Sequence, residues 1–583
     1  MPNLYDSQFY IKLNGSDLAL AKMNYLHEVE VDCGFFMPAT ATLKFYDEKL
    51  DFIDDTSFAL GTEVEVLAGG GANPGGENST TSIFKGIITN IEPEFTEEGP
   101  YSMFVIRAYD KSFKMHRGTT SKAYVQVKDS DVVGQVARAA GLQADVDDTA
   151  VVHKHIFRHD QSDFEFVAAL ARRNGYIFYF DGAKLQFKKP ASFTGNEVTC
   201  VFGKDLLEFR PRFAIGGQVN EVKVHGWDPK TKQAVVGLAT NPVFAPSSTT
   251  LSRGPAAAQT GFSGAAKLHI TSTPATQSVA DNVAKSVMDR IAGSDMTAEG
   301  RALGNVKLKP GGRLVVANVG KFSGKYFITR VRHVLSQATS FNTEVWTGGM
   351  NTGTFASLLQ DDPRSPNPPA RPASGLLTAI VTNNTDDEKM GRVRIKFPTI
   401  ADDQEAFWAP VVSVGAGATR GLMVIPEVND EVLVGFVNGD FDRPYVLGGL
   451  WNGSDAPPNA TAVADGKVEI REWTSRVGHT VRLTDKAGEE KIEVIDKSGK
   501  NLLRIDTAKN TVSILAEQDI KLEAKGNIEL KAANIKLEAT AKVSVDGSQV
   551  QAEAKSQIAL KGAMAELSAS GITKISGSMV NIN

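Results

Sequence analysis

Only two cysteines, Cys33 and Cys200, occur in 583 residues, and neither has a C-x-x-C neighbour. A disulfide framework and a zinc cluster within one chain are therefore both excluded, and the redox compartment is left open. No stretch approaches the roughly 20 apolar residues of a membrane helix. Met1–Asp6 has neither the basic region nor the apolar run of a secretory signal. Synthesis in the cytoplasm is expected, with any export by a route other than a cleaved leader. An excess of cations is missing too: 63 Lys and Arg against 68 Asp and Glu give a net charge of -5, which argues against a nucleic-acid partner. At 42% hydrophobic and 22% charged residues, the chain reads as ordinary globular protein, long enough for two to four domains.

Catalytic signatures are absent as well. No Gly-x-Ser-x-Gly or His-Glu-x-x-His occurs, so no catalytic residue, cofactor or metal is expected. The nearest approach to a metal site is His153-Lys154-His155 with His159-Asp160. Alternate strand positions put His153 and His155 on one face, but no fixed third ligand follows, and a strand rim entering a capped helix is the simpler reading. The run Gly69 to Gly76 lacks the Gly-Lys-Ser/Thr of a phosphate loop and reads as a hairpin tip. Asn14-Gly15-Ser16 and Asn78-Ser79-Thr80 match a glycosylation pattern that means little without a secretory route.

After Trp473 there is no further Phe, Trp, Tyr, Pro or Cys. Apolar residues there fall in pairs two apart, recurring every seven or eight residues: Ile520/Leu522, Ile528/Leu530, Ile535/Leu537, Val543/Val545, Val550/Ala552 and Ile558/Leu560. The series loosens through Ala565/Leu567 and Ile575 and closes at Val580/Ile582. A coiled-coil seam needs spacings of three and four, whereas an i, i+2 pair shares one face of a β-strand. One such unit makes a single wall, and a chain enclosing its own core spends about 20 residues or more per turn. Three chains, each adding one strand per layer, close the prism. Its narrow apolar seam has no room for rings, and its ladders need every N–H that proline lacks. About nine layers at about 4.8 Å give a needle roughly 40 Å long.

Five prolines between Pro363 and Pro372 mark a linker over residues 363–374. Beyond it, strands are expected at 375–381, 391–398, 407–414, 420–425, 430–437 and 445–450, enough for a small OB-type barrel over 375–453. An OB barrel by itself would suggest oligonucleotide binding, against which the acidic loops Asp386-Asp387-Glu388 and Asp402-Asp403 speak. The run Gly391 to Pro398, Trp408-Ala409-Pro410-Val411, Ile425 to Phe436 and Gly439-Asp440-Phe441-Asp442-Arg443-Pro444 closely resemble the OB domain of VgrG proteins and phage baseplate spikes.

In the first 362 residues two stretches look like copies: Gly61 to Leu67, Phe84 to Ile91 and Tyr101 to Tyr109, then Gly312 to Val316, Phe322 to Val331 and Ser340 to Trp346. A Gly-led strand and a Phe-x-Gly strand recur in the same order. Helices are expected after Asp131 up to Gly141, after the capping box Ser162-x-x-Glu165 up to Asn174-Gly175, and from Asp281 to Gly293. His159 to Phe187 and Gly324 to His333 resemble the late-control family of phage hub proteins.

These resemblances imply a mainly β, multidomain chain. Its parts are a hub of two tube-like β-barrels with helical insertions (1–362), the linker, the OB-fold domain, and a stem with a trimeric triangular β-helix (465–583) that becomes regular strand near Gly478. The implied role is the non-enzymatic central spike of a contractile injection system, in which six barrels of a homotrimer meet a hexameric inner tube. Baseplate proteins, effector cargo and the target-cell envelope on firing are the further partners implied. The last layer leaves an open strand edge, and a PAAR-type tip protein is expected on Met579, Val580, Asn581, Ile582 and Asn583. Some relatives carry a lysozyme domain after the barrel or an effector after the needle; the short gap from Gly453 to Gly478 and the ending at Asn583 lead to the expectation of neither. A cell-wall-degrading enzyme with a site in residues 120–300 is the main rival.

Overall fold

The computed structural model describes residues 8–69, 80–95, 102–349 and 375–582, apart from 183, 194, 245, 252–253, 272, 275, 337–339 and 402–403. Outside the described residues lie Met1–Asp6, Gly70 to Gly76, Asn78-Ser79, the proline-rich linker, Asp402-Asp403 and Asn583. The chain is mainly β and divides into two compact units, residues 1–456 and 457–583. Among the described residues no helix is long and apolar enough to cross a membrane.

The first unit contains a duplication that extends to hydrogen-bond register. One repeat consists of β1 (Leu26–Gly34), β2 (Thr40–Tyr46), β3 (Glu63–Gly69), β4 (Thr81–Glu94) and β5 (Met103–Tyr109). The other consists of β6 (Leu206–Phe213), β7 (Met296–Leu303), β8 (Arg313–Ala317), β9 (Gly324–Ser336) and β10 (Ser340–Thr347). Spatial order is β3-β4-β5-β2-β1 in the first and β8-β9-β10-β7-β6 in the second, and β9 pairs with β1 to join them. Both long strands bulge at the same point, between Ile88 and Asn90 in β4 and between Ile328 and Arg330 in β9. A bulge bends the strand, so its two halves can serve different neighbours. Gly61 and Gly311, at φ +88° and +83°, donate their N–H groups to the carbonyls of Ile88 and Ile328 at 2.8 and 2.9 Å.

This register corrects the alignment expected from the sequence. Gly61 corresponds to Gly311 rather than Gly312, and Ile88-Thr89 to Ile328-Thr329. The two Phe-x-Gly motifs are out of step, because Phe322 lies in a short 3-10 turn ahead of β9. The first strands also differ: Gln8–Leu13 runs antiparallel to β3, whereas Glu197–Val201 runs parallel to β8.

Between the repeats lie α1 (Asp129–Ala139) and α2 (Asp163–Asn174). Ser162 and Glu165 form the expected capping box, and Gly175 ends α2 at φ +68°. Asp131 is not the cap of α1; the helix starts two residues earlier, and the Asp131 carboxylate reaches back to the Lys128 N–H at 3.4 Å. The second repeat is split by a three-stranded sheet covered by α3 (Gln277–Gly293), four residues longer at its start than expected.

The OB module is a five-stranded sheet of β11 (Leu377–Asn383), β12 (Arg392–Lys396), β13 (Ala409–Pro410), β14 (Glu431–Phe436) and β15 (Pro444–Gly449), in the order β13-β12-β11-β14-β15. A parallel bridge from Val411 to Val446 closes it around Val381, Val393, Ile395, Val432 and Val434. The strand expected at 420–425 is reduced to a two-residue hairpin arm, Arg420–Gly421. With the barrel closed by Val411 and Gly421 at φ +136°, the chain leaves the ladder, and Met423 is 83% exposed.

The second unit opens with a five-stranded meander of β16 (Ile470–Thr474), β17 (Thr480–Thr484), β18 (Lys491–Ile495), β19 (Leu502–Asp506) and β20 (Thr511–Leu515). Regular strand thus begins at Ile470, ahead of the position near Gly478 expected for it.

Candidate functional site

The meander has two unlike faces. One carries the rows Leu483-Ile492-Ile505-Val512 and Trp473-Val481-Val494-Leu503-Ile514. These side chains are 37–70% exposed in a single chain. On the other face a row of alternating charge crosses four strands: Glu472 faces Arg482, Arg482 faces Glu493, and Glu493 faces Arg504. Arg482 Nε lies 2.6 Å from Glu472 and Arg504 Nε 2.7 Å from Glu493. Opposite charges directly across a ladder favour that register, and Glu493 is only 2% exposed beneath its neighbours. The sequence reading missed this row, whose signal is the period-2 pattern in residues 470–515.

Past Leu515 the backbone bends at 517–518, 525–526, 533, 540–541, 548, 555–556, 563, 570–571 and 578. Each interval of seven or eight residues holds one apolar pair of the series, except that after 570–571, where Ile575 has Thr573 two residues before it. The loosened stretch keeps the rhythm, with Ala565/Leu567 and Thr573/Ile575 in their intervals. First members Ile520, Ile528, Ile535, Val543, Val550, Ile558 and Val580 are 50–61% exposed; second members Leu522, Leu530, Leu537, Val545 and Leu560 range from 65% to 82%. Met579, Val580 and Ile582 are exposed at the end of the described chain, with Asn581 between them. Apolar surface of this extent, spaced at strand period, marks a site of association.

A second group of functional side chains joins hub to OB barrel. The strand Val152–Gln161 carries His155, whose Nδ1 lies 2.9 Å from Asp442 Oδ1 and whose Nε2 lies 3.2 Å from the Glu405 carbonyl. The same Asp442 oxygen accepts the Phe157 N–H at 2.8 Å, and Asp440 accepts the Thr273 hydroxyl. Between the two aspartates, Phe441 packs on Phe157 and His159, at 5.7 and 4.3 Å between ring centres. Burial, and then Asp442 beside it, push the Asp440 carboxyl above its usual range. Lys154 reaches Glu388 at 3.1 Å. Of the histidines singled out by sequence, His155 faces a carboxylate and a carbonyl, His153 lies 3.4 Å from Asp129, and His159 packs on the Phe441 ring; no group of three or more metal-ligating side chains occurs among the described residues. Asp442→Ala, leaving the His155 ring and the Phe157 N–H without their acceptor, is expected to destabilise the unit by about 2 kcal/mol or more. Urea unfolding reads this, and a midpoint equal to the parent's would show the contact to be idle.

Comparison with known proteins places these parts. Residues 7–337 match the family described as the Alg8 N-terminal domain, and residues 377–451 match the type VI secretion system/phage-baseplate injector OB domain. The chain is 28% identical to the type VI secretion system spike protein VgrG3 of Vibrio cholerae over 29% of its own length and 18% of that protein's. It is 33% identical to VgrG4b of Pseudomonas aeruginosa over 21% of its length and 16% of that protein's. It thus spans about a fifth or less of these curated relatives. Among solved structures, a chain of the Francisella PdpA–VgrG complex superposes with a TM-score of 0.52 at 9% identity, covering 88% of this chain and 81% of that one, a likeness of fold.

Proposed function

We propose that this chain, a VgrG-type protein belonging to the Alg8 N-terminal domain family, is the central spike of a contractile injection system and works mechanically, without catalysis. The observation that carries this reading is the pairing of an apolar stem face with a tail that presents one apolar pair per bend, all uncovered in one chain. Three chains cover these surfaces for each other: the stem faces turn inward, and each tail interval becomes one wall of a three-sided layer. Stacked ladders that must break together resist unfolding kinetically, which suits a part driven through an envelope.

The duplicated hub supplies the other half of the proposal. Two repeats of one strand order per chain make six in a trimer, matching three-fold needle symmetry to a hexameric inner tube. A PAAR-type tip protein on residues 579–583, baseplate proteins and effector cargo complete the set of proposed partners. Synthesis and assembly are cytoplasmic, and firing carries the protein out. Light scattering of the purified full chain tests the reading: three copies of 62.6 kDa are expected, and a stable monomer at micromolar concentration overturns it.

A further inference from the structure

The superposable registers of the two hub repeats identify which surface side chains recur. In β1 the pairing with β2 shifts between Leu26 and Glu28; in β6 the pairing with β7 shifts between Leu206 and Glu208. The bulge thus sits at the same place, led by the same residue and followed by the same acid. Across from Glu28 stands Lys44, and across from Glu208 stands Arg301. The ion pairs form in both repeats, at 2.7 and 2.8 Å. All four side chains keep between 23% and 45% of their surface in solvent.

Thr40 and Thr297 also coincide by these registers, but most other charged positions of this sheet face have diverged. By the same registers Glu30 corresponds to Arg210, Asp32 to Arg212, Thr42 to Glu299 and Arg107 to Trp346. Charge has been gained or reversed at three of these positions and lost at the fourth. Packing accounts for Leu26 and Leu206, but an exposed ion pair adds little to stability, so stability does not explain why this one pair is kept. Lys85 and Lys325 also coincide, yet their surroundings differ: Lys325 pairs with Glu197 at 2.6 Å, whereas Lys85 stands across the ladder from Glu65.

We infer that Glu28–Lys44 and Glu208–Arg301 are two copies of one docking element, with which each protomer engages two identical, adjacent subunits of a ring. This inference rests on the spike reading and goes further by naming the contact. The surface it fits is a protein face offering a base to the glutamate and an acid to the lysine or arginine, so that each internal pair becomes one side of a four-charge cluster. Identical partners account for the retention, since each repeat meets the same chemistry while the remaining face meets different surroundings. Charges of this kind set orientation and association rate, and their effect is salt-dependent.

The test exchanges the charges within a pair. Glu28→Lys with Lys44→Glu, and Glu208→Arg with Arg301→Glu, keep an internal ion pair but invert what the surface offers. Binding of the full-length chain to purified hexameric rings of the inner-tube protein from the same organism is measured at low and high salt. Each exchange is expected to weaken binding at least about tenfold at low salt, both together more, with the unfolding midpoint unchanged. If an exchanged protein does not fold, the isosteric pair Glu28→Gln with Lys44→Gln replaces it, with loss of salt dependence as the expected result. Undiminished binding by folded exchanged proteins overturns the docking element while leaving the spike reading intact. Failure of the parent chain to bind the rings at all overturns both.

Discussion

Ile535→Asp is expected to abolish the trimer, whereas Lys536→Asp, one residue on, should leave it intact. Ile535 belongs to the apolar pair of its interval and Lys536 stands between the pair's members, so in the strand proposed for each layer the two side chains point to opposite sides. In a three-chain layer the substitution at 535 places three carboxylates around one apolar axis without partners, and a buried charge in that position costs far more than one layer can return. The substitution at 536 exchanges one solvated charge for another. Truncation after Leu515 carries the same logic to its limit, removing every interval of the tail and leaving only the stem faces to hold the chains together. Such a chain should lose resistance to SDS at room temperature and dissociate on dilution. Equal tolerance at 535 and 536, read by native mass and by the SDS gel, would sink the assignment of faces.

The second large effect is expected inside the hub. Asp129, wholly buried, accepts from Arg173 Nε at 3.1 Å, from Arg173 Nη2 and from Asn174 Nδ2 at 2.6 Å, with His153 at 3.4 Å. Burial pushes its carboxyl up, but the Arg173 guanidinium and the His153 imidazole beside it more than offset this and hold it well below the usual carboxylate range. A carboxylate whose folded pKa is depressed contributes stability that is fully present above its unfolded pKa near 4 and is lost as pH falls through the folded value. Asp129→Ala strands the Arg173 charge and is expected to cost about 3–5 kcal/mol near neutral pH. The parent should lose stability on acidification below about pH 4, and the variant should lose less over that range. A variant with the parent's full acid sensitivity would assign that sensitivity to other carboxylates.

Features written in local spacing were legible in the sequence. The capping box at Ser162 and Glu165, the alternation of the OB strands and the tail's pairs all declare themselves within a few residues, and the bends fall where the pairs require. Features that depend on which strand lies beside which were not. His155 and Asp442 are 287 residues apart, and nothing near either announces the other. The charged row of the stem exists only once β16, β17, β18 and β19 are in register. The duplication was visible as an order of strands, but its alignment followed the conspicuous Phe-x-Gly motifs, while the chain aligns by a bulge and a glycine turn that leave only a faint mark on composition.

The loops of the stem meander are four to six residues long, and each holds a residue in the left-handed region, among them Gly478, Gly488, Gly499 and Asn510. Short loops and near-neighbour contacts make for fast folding, and a one-residue slip would exchange the apolar and charged faces completely. One chain can therefore fix this sheet by itself, whereas the tail forms no strand within one chain and, in the proposed trimer, would pair only when the other chains arrive. An order of events in time is the expected consequence: three finished plates meet first, and their registration then sets the phase in which the trailing strands close, layer by layer, toward the tip. The alternating salt row, buried in no core, would then act before assembly, as the device that delivers each chain to its partners already in step.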